Sequence, residues 1–231
     1  MRSVQPSIDP ALATLAPGFR AISITLQTDE VANPAIAAEA LAQACQRVLH
    51  DPAPWTEVHL AAWAEVFKGF GAKPQRTPCS ADALRKRVLR DGALPSIDPV
   101  VDLYNAISLA YALPVGGENL AAYVGTPRLV IADGSEVFDT MKEGGPAQEC
   151  PEAGEVIWRD DLGVTCRRWN WRQGVRTRLD CDARQMWFIL ESLPEMPLAA
   201  LQEAAARLVD GLRRMMPDAR IEQSLVGFDL P

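Results

Sequence analysis

The sequence predicts an α+β protein: one domain over residues 1–231, with helices of the N-terminal half packed on a mixed or antiparallel sheet from the C-terminal half. Two observations predict it. Apolar residues recur at helical spacing in four segments between residues 33 and 112, whereas from residue 128 onward short strand-like runs alternate with Asp-Gly and Gly-Gly turns. The strict strand–helix alternation of a parallel, doubly wound sheet is absent. The core is expected over about residues 15–195, with a helix at 198–215 packed on it.

Each element has a local reason. Residues 1–18 are proline-rich and are expected to wrap the surface. Residues 19–26 alternate, with Ile22, Ile24 and Leu26 on one side, and read as a first strand. Asn33 as N-cap and Pro34 at the first helical position start a helix to about Leu49, with Ala37, Leu41, Ala44 and Val48 on one face. A second helix, about 55–70, carries Trp55, His59, Trp63 and Phe67 on one face and ends at Gly71 and Pro74. Ser80 is the expected cap of a short helix with Ala81, Leu84 and Val88 inward and Arg85, Lys86, Arg87 and Arg90 outward. Asp98-Pro99 starts a helix to about Ala112, packed through Val100, Leu103, Tyr104, Ile107 and Tyr111. Strands are expected at 128–132, 136–141, 155–159, 164–172 and 174–181, while 185–191 reads as helix or strand. Leu198, Leu201, Ala205, Leu208 and Leu212 mark a final amphipathic helix, and 221–226 a closing strand.

Composition removes several function classes. A net charge of −7 argues against non-specific coating of nucleic acid. No apolar run approaches the length of a membrane span, and the N-terminus lacks the apolar stretch of a signal peptide, so a cytoplasmic protein is expected. The five cysteines form no C-x-x-C pair and read as core thiols. With only His50, at a helix end, and His59, on an apolar helical face, histidine triads and histidine-rich metal sites have no raw material; no metal and no cofactor is expected. Seven Lys/Arg between Lys68 and Arg90 face one acid, Asp82. They are either a solvated helix face or a phosphate-contacting patch in which Lys73, Arg76, Arg85, Lys86 and Arg87 touch RNA.

Two stretches carry the candidate chemistry. If residues 163–173 form one extended strand, Trp169 and Trp171 point one way and Arg168, Asn170 and Arg172 the other. Planar donors in a row suit a carboxylate, a phosphate or an ester carbonyl. Two tryptophans on one face read as core or as a stacking platform, and the opposite row as a ligand site or as a structural network with Glu136, Glu155 or Asp102. The second stretch is the glycine turn at Gly116-Gly117, followed by Glu118, whose backbone N–H groups are able to cradle an oxyanion. Asp102 and Asn105 lie three apart and share a helical face.

Taken in order, the Asp-Leu-Tyr-Asn helix (Asp102 to Asn105), the Pro-Val-Gly-Gly turn (Pro114 to Gly117), Gly154-Glu155-Val156 and the Arg-Trp-Asn-Trp-Arg stretch (Arg168 to Arg172) resemble a known family. It comprises the free-standing relatives of the tRNA-editing module, the third and fourth domains, of the phenylalanyl-tRNA synthetase beta chain, described as phenylalanyl-tRNA-synthetase-like DNA/RNA-binding proteins. The resemblance covers about residues 15–195. It implies a mixed α+β fold around a cleft, which in the synthetase hydrolyses tyrosine wrongly attached to the phenylalanine tRNA. By position, Asn105 matches the asparagine of the synthetase's helix, Gly116-Gly117 its pocket turn, and Glu136 or Glu155 the acid that reads the substrate side chain. The synthetase turn commonly bears a histidine about where Gly116 stands, which this chain lacks, and the Trp-Arg stretch belongs to the free-standing branch.

Three functions are therefore expected in competition. The first is trans-editing hydrolysis of a mischarged aminoacyl-tRNA, with Asn105, Gly116, Gly117 and Arg168 as catalytic donors. Asp102, Glu118, Glu136, Glu155, Trp169, Asn170, Trp171 and Arg172 would contact substrate. The second is a non-catalytic tRNA- or RNA-binding module. The third is an enzyme or sensor for a small amino-acid-like ligand.

Overall fold

The computed structural model describes residues 4–228 and 230, so residues 1–3 of the segment expected to wrap the surface lie outside it. In chain order the elements are β1 (Ser7–Ile8), α1 (Leu12–Leu15), β2 (Arg20–Gln27), α2 (Ala35–His50), α3 (Thr56–Gly69), α4 (Ser80–Asp91) and α5 (Pro99–Tyr111). There follow β3 (Val115–Asn119), β4 (Arg128–Ile131), β5 (Phe138–Lys142), β6 (Gly145–Glu149), β7 (Val156–Arg159), β8 (Val164–Arg167) and β9 (Arg172–Gln173). The chain closes with β10 (Gln185–Ser192), α6 (Leu198–Met215) and β11 (Arg220–Gly227). None of the described helices is long and apolar enough to cross a membrane.

The α+β class holds, with two sheets where one was expected. An antiparallel sheet runs in the order β11-β2-β10-β3, so one of its central strands, β2, comes from the N-terminal half. A mixed sheet runs β1-β4-β7-β8-β5-β6, with β9 paired to β8. Alternation along β2 and β10 sends side chains to opposite faces of the antiparallel sheet. Ile22, Ile24, Leu26, Phe188 and Leu190 join α2, α5 and α6 in one core. Ala21, Trp187 and Ile189 face the other way and join α3 and strands of the mixed sheet. The antiparallel sheet is thus the middle layer, with its central strands β2 and β10 buried on both faces, which explains why 186–190 reads as a continuous apolar run.

Local chemistry sets the helix ends. The Asp98 carboxylate caps α5, accepting from the N–H groups of Val100 at 2.9 Å and Val101 at 3.3 Å, and Pro99 stands just inside. The helix stops at Ala112, which turns left-handed at φ 51°. In α6, Leu201, Leu208, Leu212 and Met215 are fully buried, and Gly211 lets α5 close in: a Cβ there would lie 2.8 Å from Leu103.

Several expectations are corrected. The 163–173 stretch is not one strand: β8 ends at Arg167, a tight turn covers 168–171, and β9 returns. Arg168 and Trp169 are both left-handed, at φ 47° and 64°, so the period-two face of Arg168, Asn170 and Arg172 does not exist. Gly116 and Gly117 lie inside β3, opposite Ile189 and Phe188, rather than in a turn. The Asn33 amide donates to the Arg214 carbonyl at 2.9 Å instead of capping α2, and no side chain caps α4. Residues 174–184 are irregular, Gly145–Glu149 is an additional strand, and Cys150 and Cys181 are exposed rather than core thiols.

Candidate active site

The 168–171 turn is built by charge. The Glu155 carboxylate takes two hydrogen bonds from the Arg167 guanidinium, 2.9 Å from Nε and 2.7 Å from Nη2, and a third at 3.0 Å from the Arg168 N–H. Glu149 adds a contact to Arg167 Nη1 at 3.2 Å. A bidentate, charge-assisted pair of this kind is strong enough to hold two left-handed residues that the chain alone disfavours. Forced inward by the turn, Trp169 is fully buried and stacks edge-on with Trp63 and Phe19, its ring centroid 5.4 and 5.0 Å from theirs. Trp171 stays half-exposed, with the guanidinium of Arg168 4.6 Å and that of Arg172 5.9 Å from its ring.

Between this turn, the start of α4, the middle of α5 and the faces of β3 and β10 lies a cavity of about 270 Å³. Trp158, Trp169, Trp171 and Trp187 give it indole walls, and Ser80, Tyr104, Asn105, Asn170 and Gln173 line it with polar groups. Asn105 is half-buried, and its side-chain amide has no hydrogen-bond partner among the described residues. Gly116 and Gly117 differ in purpose. A Cβ at Gly116 would meet only Ile189 Cγ2 at 3.6 Å, so glycine there keeps the cavity open. A Cβ at Gly117 would lie 2.8 Å from Tyr104 and 3.0 Å from Phe188, so glycine there lets α5 pack on β3.

Two buried glutamates face this space, and among the described residues no lysine, arginine or histidine lines it. Glu191 accepts the indole N–H groups of Trp158 and Trp169 on Oε1, both at 3.0 Å, and the Asn170 amide on Oε2 at 2.9 Å. Glu118 accepts from Gln173 at 3.1 Å and Thr177 at 3.2 Å on Oε1, while its Oε2 has no partner. Burial pushes both carboxyls up to about 7; the neutral donors, joined at Glu118 by the Thr165 hydroxyl and the Arg176 charge, pull back only part of the way. The Ser80 hydroxyl, expected to cap α4, is likewise buried without a partner at the cavity edge.

The structure brings Asn105, Gly116, Glu118, Trp169, Asn170 and Trp171 together at the cavity and leaves the other candidates outside it. Arg168 and Arg172 pack on the outer indole, and Gly117 meets the site only through its carbonyl, which accepts from Gln173 at 2.9 Å. Asp102 accepts from the Ser96 hydroxyl and the Ile97 N–H, bracing the loop before α5. Glu136 accepts the N–H groups of Asp133 and Gly134 and closes their turn; Glu155 is spent on Arg167. The basic segment is largely neutralised locally: Arg85 pairs with Glu57, Lys86 with Asp82 at 2.7 Å and Arg87 with Asp91 at 3.8 Å. Lys73 and Arg76 are exposed beside it. His59 is a packed residue: its Nδ1–H donates to the Ala112 carbonyl at 2.8 Å and its Nε2 accepts the Leu193 N–H at 3.1 Å. Burial holds it neutral, lowering its pKa to about 4.

Glu191, Trp158, Trp187, Tyr104, Gln173 and Ser80 are cavity residues that sequence reasoning did not single out. A signal existed for Glu191. It ends the apolar run 186–190 and shares strand parity with Trp187 and Ile189, so a charged group was due on a buried face.

Comparison with known proteins places the chain. The B3/4 domain family matches residues 62–212, which include every residue lining the cavity. No curated protein matches. Among solved structures, an N-terminal fragment of the phenylalanyl-tRNA synthetase beta-subunit from Pyrococcus horikoshii is similar at 11% identity and a TM-score of 0.45. The alignment covers 98% of this chain and 55% of that one, so this chain spans about half the fragment's length. With more than half of its residues inside the family match, the chain belongs to the B3/4 domain family.

Proposed function

We propose that the protein hydrolyses, in trans, the ester bond between a wrongly attached amino acid and the terminal ribose of a tRNA. One observation supports this above the rest. Asn105, Gly116 and the 169–171 turn, from three separate stretches that carry the family resemblance, converge on a single cavity. Its volume of about 270 Å³ lies just below the range usual for drug-sized ligands and suits one amino-acid moiety. The unpartnered Asn105 amide, which lines the same cavity as Gly116, is the donor assigned to the ester carbonyl. A well-aimed donor of this kind lowers such a barrier by roughly 2.7–4 kcal/mol. No histidine lines the cavity, so the vicinal hydroxyl of the substrate's own ribose is assigned the role of assisting the attacking water. Trp171, with Arg168 and Arg172 on its ring, offers stacking and positive charge to the terminal nucleotide at the rim.

A second reading, a small amino-acid-like ligand with no tRNA attached, is favoured by the pairing of Arg85, Lys86 and Arg87 with acids. Deacylation of a panel of correctly and wrongly charged tRNAs separates the two. Wild-type protein should discharge at least one mischarged species. Asn105→Ala should lose most of that activity. Gly116→Val, which fills the cavity without meeting backbone, should lose it while remaining folded. If no charged tRNA is hydrolysed, or if both variants match the wild type, the hydrolase reading fails. Salt-sensitive tRNA binding without hydrolysis would leave a binding module in its place.

A further inference from the structure

The other buried acids of the described chain have visible compensation. Glu155 has Arg167, Asp160 has Arg176, Glu136 has Arg159, and Asp102 sits in the first turn of α5, where the helix dipole favours negative charge. Glu118 and Glu191 have no ion-pair partner: they are 5% and 1% exposed, share one cavity and accept hydrogen bonds only from neutral groups, and the one positive charge acting on Glu118, Arg176, is already held by Asp160. A carboxylate buried without a counter-charge is expensive, and an oxygen left without any donor adds to the cost. That oxygen, Glu118 Oε2, belongs to a residue lining an empty space large enough for a ligand group. Around it stand the indoles of Trp158, Trp169, Trp171 and Trp187, whose π-faces attract cations.

We propose that the cavity is a primary-ammonium site, in which a protonated amine of the ligand supplies the positive charge that Glu118 and Glu191 lack. The ammonium donates to Glu118 Oε2, and the indole faces stabilise the rest of its charge. For an aminoacyl ester this is the free α-amino group, so N-blocked or peptidyl esters are refused: an acylated nitrogen carries no charge and too few protons. Identifying the amine with an aminoacyl group rests on the hydrolase reading; the charge argument does not.

The proton balance gives the site a signature. A carboxylic acid in the empty cavity gives up its proton when an ammonium ion arrives, so the complex holds carboxylate and ammonium, and one proton leaves to buffer. Other titratable and charged groups act around the pair. Tyr104 from α5 and Cys166 from β8 are held neutral by burial, and Asp98 and Asp102 act on Tyr104. Arg176, from the segment after β9, is already engaged by Asp160 and by the Ala122 carbonyl.

The test is titration of the full chain with a panel of L-amino-acid amides and their N-acetyl counterparts, read by tryptophan fluorescence. Calorimetry at pH 6 in two buffers of different ionisation heat counts the protons. At least one amide should bind, with its N-acetyl counterpart roughly 100-fold weaker. Protons should be released, and affinity should rise with pH up to about 7 and fall once the amine itself deprotonates, near 8. Glu118→Gln should remove proton release and most of the affinity. Gly116→Val, which leaves both carboxyls in place, should block binding sterically. Absence of binding by every amide, equal binding of the N-acetyl forms, or binding with no proton released would each overturn the proposal. The two readings fail separately. Amide binding with proton release but no tRNA deacylation would leave the ammonium site and remove the hydrolase. Equal deacylation of free and N-acetylated aminoacyl-tRNA would do the reverse.

Discussion

Asp160 and Glu191 both expose almost no surface, 0% and 1%, yet Asp160 lies at shallower depth and their carboxyls are shifted in opposite directions. Burial works to raise the Asp160 pKa, but the Arg176 guanidinium and the N–H groups of Val124, Gly163 and Leu162 outweigh it and hold the group below the usual carboxylate range. Glu191 takes three hydrogen bonds, all from neutral side chains, and burial wins, pushing it to about 7. Glu155 with Arg167 repeats the first arrangement, and Glu118 the cavity-facing second. Depth of burial and the charge of the partner together set the state of these groups. The paired acids fasten turns of the mixed sheet, whereas the unpaired ones stand where the protein has left room for something else.

Three experiments break or sharpen this contrast. The largest effect is expected at the paired end. Asp160→Ala leaves a half-buried guanidinium and three backbone N–H groups without their acceptor and should cost about 3–5 kcal/mol in urea unfolding. A loss under about 1 kcal/mol would mean that the pair is ornamental.

The next effect is a pH dependence with a defined sign. Between the ordinary 4.5 and the folded value of about 7, the folded chain keeps protons on Glu118 and Glu191 that the unfolded chain has lost. Stability must therefore fall as pH rises through that window, by at most about 3 kcal/mol per group. His59 acts oppositely, because its folded value of about 4 lies below the ordinary 6.5, so it contributes stability that grows as pH rises between the two. Wild-type unfolding should show stability decreasing toward pH 7. In Glu118→Gln/Glu191→Gln the slope should reverse, with His59 left in control. An unchanged slope in the double variant would remove both carboxyls from the argument.

The smallest effect belongs to exposed pairs. Lys86 and Asp82 lie 2.7 Å apart, but the lysine side chain is 57% exposed, so Lys86→Ala should change stability by less than about 0.5 kcal/mol. A much larger loss would show that pairing counts in this protein irrespective of burial.

How far the site was legible follows from which contacts are local. Asp98-Pro99 announces α5 because a cap acts on N–H groups two and three residues ahead. That legible helix carries Asn105 to the cavity at the position the resemblance had marked. The guanidinium row was misplaced because period two presumes an extended backbone, and two left-handed residues interrupt it. Nothing inside 163–173 reveals that interruption; its cause is Glu155, a dozen residues upstream, and the bonds that Trp169 and Asn170 make to Glu191. Gly116-Gly117 read as a turn for the same reason: glycine favours turns locally, and its place in a strand depends on β10, some seventy residues later.

By itself, then, the sequence determined the α+β class, the helices with their apolar faces and the B3/4 family, because periodicity, caps and motif order act over a few residues at a time. Only the tertiary structure decided which acids are paired and which are not. That outcome depends on desolvation and on charges brought together from distant segments, and neither quantity exists until the chain has packed.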